Sequence, residues 1–155
     1  MNKLAISVCV AFIGAAISVP VQSKTPAASA ATATKPVVVE SYYRIKWGNG
    51  DEFKRLYERN EIPLLREMQK LGFVTDLRFE TPFTHMAGGT RWDFRARITY
   101  RDAIAAVESG GSYDKAFDEA RARLRPDKSE FDSEQARRMA LLDDHWDVVV
   151  DNAGE

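Results

Sequence analysis

Cysteine is nearly missing from this chain of 155 residues: the single one, Cys9, lies within an apolar run close to the start. The remainder therefore has no disulfide, no thiolate nucleophile and no cysteine-based metal site. Cys9 also comes too early for a lipoprotein anchor, which needs its cysteine after a complete apolar region. Histidine is scarce, with only His85 and His145. The cluster Asp143-Asp144-His145-Trp146-Asp147 offers oxygen and nitrogen donors, but so close a spacing on one extended segment does not converge on one ion. We expect no metal and no cofactor. An excess of positive charge is lacking as well. Without Lys3 the chain carries 21 basic against 23 acidic residues, a net charge of −2, which argues against a nucleic-acid partner, whose phosphates demand a basic surface. No internal repeat is visible.

Residues 1–23 read as a secretory signal: Lys3, an apolar run over 4–19, then small residues at Val21 and Ser23 before the cut, with a second cut after Ala30 also fitting the small-residue rule. The run is short for a retained membrane helix and has no flanking anchor, so no stable membrane insertion is expected after cleavage. Export to the periplasm or outside the cell follows. Residues 24–36, rich in Ala and Thr, read as a disordered leader. Residues 37–155 have the length of one domain.

Within that domain, residues 37–47 are β-branched and aromatic and alternate, which predicts a first strand. The turn Gly48-Asn49-Gly50 precedes a helix capped by Asp51 or Asn49, bearing Phe53, Leu56, Tyr57, Leu64, Leu65, Met68 and Leu71 at helical spacing. Pro63 kinks or restarts it and Gly72 stops it. Residues 73–81 and 91–100 read as a hairpin with a long loop. The second of these alternates without a break: Trp92, Phe94, Ala96, Ile98 and Tyr100 on one side, Arg91, Asp93, Arg95, Arg97 and Thr99 on the other. Helical stretches over 103–107 and 113–124 are divided by Gly110-Gly111. A further helix, capped by Ser129 or Asp127, carries Phe131, Met139 and Leu142. Residues 145–151 close the chain as a strand with Trp146, Val148 and Val150 on the apolar side.

This β-α-β-β-α-β order, with an extra helix before the last strand, predicts an α+β ferredoxin-like antiparallel sheet with helices on one face. The other face carries Glu40, Tyr42, Arg44, Asp76, Arg78, Asp93, Arg95, Arg97, His145 and Asp147, either solvated or paired. At this level the chain resembles the dimeric α+β barrel superfamily, which includes antibiotic-biosynthesis monooxygenase-like, EthD-like and NIPSNAP-like proteins. The resemblance spans about residues 37–151. It rests on the aromatic first strand, the segment Asn60-Glu61-Ile62-Pro63-Leu64 leading to Leu71-Gly72-Phe73, the tryptophan-led third strand and the short last strand. It implies a homodimer in which two sheets meet face to face, and a ligand cleft between sheet and helices. No haem or flavin motif accompanies it.

The candidate chemistry lies in few side chains. His85 in the hairpin loop and His145 at the last strand are the candidate acid and base, since histidine moves protons most readily near neutral pH, with Tyr43 as a hydroxyl donor. Each has a bland alternative, His85 as an exposed loop residue and His145 as the ion-pair partner of a neighbouring aspartate. Trp47, Trp92, Trp146 and Tyr100 share the apolar parity and either fill the core or wall a cleft for a flat aromatic ligand. Arg97 is the candidate fork for a carboxylate, although the acidic residues on its face support a cross-strand salt-bridge lattice instead. The leading expectation is a cofactor-independent isomerase, decarboxylase or lyase acting on a small aromatic carboxylate. The alternatives are a non-catalytic dimeric ligand-binding or envelope stress module, and a cofactor-independent monooxygenase.

Overall fold

Out of Pro36 the β-branched run enters strand β1 (Val37–Ile45) of a computed structural model that describes residues 35–84 and 86–150. The signal segment 1–23, most of the leader, His85 and residues 151–155 lie outside the described residues, all of which fall in a unit spanning residues 32–155. Helices α1 (Gly50–Asn60) and α2 (Ile62–Lys70) follow, separated at Glu61, with Pro63 in the first turn of α2, where its missing N–H breaks no helical bond. Gly72, at φ +76°, ends α2: Phe73 N–H donates to Met68 O at 3.0 Å and Gly72 N–H to Gln69 O at 3.1 Å, a double bond pattern that closes the last turn. Strands β2 (Val74–Glu80) and β3 (Phe94–Tyr100) form the hairpin. Helices α3 (Ala103–Val107), α4 (Ser112–Leu124) and α5 (Lys128–Ala140) lead to β4 (Leu142–Val150).

The four strands lie antiparallel in the order β2-β3-β1-β4, which is the ferredoxin-like arrangement. Phe53, Leu56 and Tyr57 of α1 pack on Tyr43, Ile45, Phe94 and Ala96. Leu64, Leu65 and Met68 of α2 pack on Val74, Leu77 and Ile98, together with Ala120 of α4 and Phe131 of α5. Phe53, Leu64 and Met68 are fully buried, each contributing about 1.5–3 kcal/mol of transfer free energy. None of the helices among the described residues is long and apolar enough to cross a membrane.

Two strands depart from expectation. The alternation over 91–100 becomes a strand only from Phe94. Arg91 turns inward to donate from Nη2 to Ile45 O at 2.7 Å, and the Asp93 carboxylate accepts Ile45 N–H at 2.8 Å. Those main-chain groups at the end of β1 need partners, and satisfying them breaks the alternation of side chains. In β4 the faces are the reverse of those expected. His145 lies opposite Tyr43, Asp147 opposite Ser41, Trp146 opposite Tyr42 and Val148 opposite Glu40, with a register shift at Arg44/Ile45. Directly paired residues share a face, so His145 and Asp147 are on the helix side, and Trp146 is on the side that no helix of the described residues is seen to cover, the bare side below.

Candidate acid–base site

The pairing of β1 with β4 brings two of the candidate residues together. The rings of Tyr43 and His145 are stacked, with centroids 4.4 Å apart and planes at 21°. His145 Nε2 is shielded from water and makes no hydrogen bond. The Asp147 carboxylate, two residues on and so on the same face, stands 3.5 Å from it, a contact that becomes an ion pair once the imidazole is protonated. An unbonded imidazole nitrogen beside a carboxylate makes this pair the candidate for proton transfer.

Tyr43 is 7% exposed, and burial pushes its hydroxyl above the ordinary tyrosine range. The Tyr57 hydroxyl, on α1, hydrogen-bonds to it, an interaction that lowers Tyr43 and raises Tyr57. Burial holds Tyr57 well above its usual value too, so both tyrosines keep their protons at neutral pH and act as donors. Arg138, on α5, lies over the Tyr57 ring at 5.1 Å, donates from Nη2 to Glu61 at 2.8 Å and from Nε to Gln135 at 3.0 Å, and leaves Nη1 buried without a partner. Its positive charge opposes the rise of both tyrosines.

The remaining candidates are dispersed. Trp92 and Trp146 do not line a cleft under the helices. They meet on the bare face through Tyr42, which stacks on Trp146 (5.4 Å, 6°) and meets Trp92 edge-on at 5.9 Å. The Arg95 guanidinium lies 5.7 Å from the Tyr42 ring and 5.4 Å from that of Trp92. Arg97 is on this face as well, 3.4 Å from Glu40, while Arg95 pairs with Glu80 and stands 3.5 Å from Glu40. The charged side of β3 is thus the cross-strand lattice, and Arg97 is separated by the sheet from His145. Asp93 and Asp147, expected in that lattice, are outside it. Trp47 lies beyond the end of β1, 74% exposed, under the Arg91 guanidinium at 4.5 Å. Tyr100 is at the opposite end of the sheet, paired with Val37, and its ring meets that of Tyr113 of α4 at 5.6 Å, with burial raising both hydroxyls. His85 lies outside the described residues. No group of three or more His, Cys, Asp or Glu that could hold a metal occurs among the described residues.

Sequence reasoning missed Tyr57 and Arg138 as members of the site. Tyr57 shares the apolar stripe of α1, and the only clue to a polar role was that a buried phenol needs a partner. Arg138 carried no signal, since its approach to Tyr57 depends on how α5 packs against α1.

No protein-family model matches the sequence, and no curated relative matches it. Solved structures are similar to it. A dimeric ferredoxin-like protein from an uncultured marine organism is 8% identical over 78% of this chain and 93% of its own, with a TM-score of 0.50. A NIPSNAP family protein from Agrobacterium tumefaciens is 16% identical, covering 76% of this chain and 85% of its own, with a TM-score of 0.45. An ethyl tert-butyl ether D (EthD) family protein from Bacillus halodurans is 13% identical, covering 76% of this chain and 99% of its own, with a TM-score of 0.45. These are protein groups that the sequence resembles, and the likeness is one of fold.

Proposed function

We propose that this protein is a small exported enzyme, periplasmic or secreted, that moves a proton on a small aromatic carboxylate without a cofactor, as an isomerase or lyase does. The observation that carries the reading is the stacked His145–Tyr43 pair, with Nε2 unbonded and the Tyr43 hydroxyl held protonated by burial beside it. His145 Nε2 takes a proton from a carbon next to a carbonyl, and the electron pair of the broken C–H bond moves toward the carbonyl oxygen. Tyr43, backed by Tyr57, donates a hydrogen bond to that oxygen. Asp147 stabilises the imidazolium, which returns its proton at a different atom or to a leaving group. A substrate carboxylate has a partner on this side in the free Nη1 of Arg138 rather than in Arg97.

The test is deuterium incorporation from heavy water into a panel of aromatic keto acids, read by NMR. Wild type is expected to exchange at least one of them. His145→Gln should slow exchange by about 100-fold or more, and Tyr43→Phe by about 100-fold. Exchange that persists unchanged in both variants, or is absent in wild type across the panel, sinks the assignment.

A second reading has its own observation. The bare face presents the Tyr42–Trp146 stack, and on it edge strand β4 leaves Val148 41% exposed. Exposed apolar residues on an edge strand invite pairing, which supports a homodimer formed through this face. A non-catalytic dimeric ligand-binding module would use the same surface and would show no exchange chemistry at His145.

A further inference from the structure

Beyond Ile45, between the turn that follows β1 and the loop that precedes β3, a cavity of about 540 Å³ is lined by Arg44, Trp47, Met86, Gly88, Arg91 and Asp143, with Ala87. A second depression of about 260 Å³ shares Trp47 and Met86 and reaches Pro82 and Trp92. Two features set this place apart. Trp47 has one indole face engaged by the Arg91 guanidinium at 4.5 Å, yet is 74% exposed overall, so its other face is an unused aromatic surface. Arg91 has a side chain only 8% exposed. Its Nη2 is committed to Ile45 O at 2.7 Å and approaches Asp93 and Asp143 at 3.3 Å each, while its Nε has neither solvent nor a partner. A buried N–H without an acceptor is a standing demand for one.

Charge decides what kind of acceptor fits. Arg44 is paired with Asp144 at 2.9 Å, and Arg91 stands between Asp93 and Asp143. Each guanidinium lining the cavity thus already has a carboxylate partner, and Asp143 lines the cavity itself, so an anion would compete with carboxylates already in place. A neutral oxygen has no such obstacle.

We propose that this cavity is a binding site, separate from the His145–Tyr43 pair, for a neutral planar aromatic carbonyl compound. Its ring lies on the free face of Trp47 and against Met86, and its carbonyl oxygen accepts from the Arg91 guanidinium. The geometry of recognition is that of many small-molecule sites, an apolar wall with one oriented donor.

Benzamide and benzoate, titrated separately into the full chain, test this by NMR through the backbone amides of Gly88 and Arg91, which remain as reporters in every variant. Benzamide is expected to shift both saturably, and benzoate to bind several-fold more weakly. Trp47→Leu, at an exposed position where folding is preserved, should weaken benzamide about three- to tenfold. Arg91→Lys, which keeps the charge and removes Nε, should weaken it further; if that variant fails to fold, Trp47→Leu decides the matter alone. The proposal is overturned by benzoate binding as tightly as benzamide, by the absence of saturable shifts with either probe, or by unchanged benzamide affinity in Trp47→Leu.

Discussion

At the scale of single residues, the chain keeps four phenols out of water. Tyr43, Tyr57, Tyr100 and Tyr113 are all held above the ordinary value of 10.0, with burial the leading cause in each. The unfolded chain releases these protons near pH 10, while the folded chain retains them. Their contribution to stability is therefore complete below pH 10 and is lost as the pH rises through the folded values. Urea midpoints should stay level from neutral pH to about pH 9 and fall steeply above about pH 10. Tyr113→Phe should flatten that fall; an unchanged alkaline profile would contradict the burial account. Tyr57→Phe removes the hydroxyl that interacts with Tyr43 and is expected to lower stability by about 1 kcal/mol in urea unfolding. His145 and Tyr43 were legible as candidates from scarcity and strand position alone. Their stacking was not, because it depends on which residue of β4 lies opposite Tyr43.

At the scale of elements, the stop signals and the cap of α5 read well from the chain, whereas Asn49 stands at the N-cap of α1 without a side-chain bond, and strand faces read less well. Asp127 stands at the N-cap of α5, where its carboxylate accepts the Glu130 N–H at 2.9 Å, and Asp102 does the same for Ala105 before α3. These contacts join residues three apart, so the local sequence encodes them. Asp127→Ala should cost about 1 kcal/mol in urea unfolding, with Asp127→Asn close to wild type; equal loss in both would point to charge rather than capping. Strand β4 is different. Its run Asp143-Asp144-His145-Trp146-Asp147 offers no clean alternation of apolar and polar residues, and as an edge strand it leaves both of its faces partly open. Its orientation comes from the register with β1 and the shift at Arg44/Ile45. A one-residue difference in register exchanges every side chain between the faces, which is how Trp146 and His145 traded places relative to expectation.

At the scale of the whole molecule, helices α1, α2, α4 and α5 pack on one side of the sheet, and the bare side has a composition of its own. Glu40, Glu80, Arg95 and Arg97 neutralise one another there beside the Tyr42, Trp92 and Trp146 rings. In the proposed homodimer this side meets its copy. Trp146→Glu, which sets a charge amid those rings without disturbing the helix-side core, should convert the dimer to a monomer in sedimentation at micromolar concentration. A wild-type chain that already sediments as a monomer would rule out the pairing. The sequence by itself determined the order of elements, the ferredoxin-like arrangement, the helix boundaries at Pro63 and Gly72 and the ion-paired character of β3, because these follow from local periodicity, capping and like-for-like charge counts. Only the tertiary structure decided which aromatic residues share a face, that Arg91 turns inward beneath Trp47, and that Tyr57 and Arg138 join Tyr43 and His145. Those outcomes depend on strand register and on partners distant in the chain, and a main-chain group in need of a hydrogen bond outranks the alternation of side chains around it.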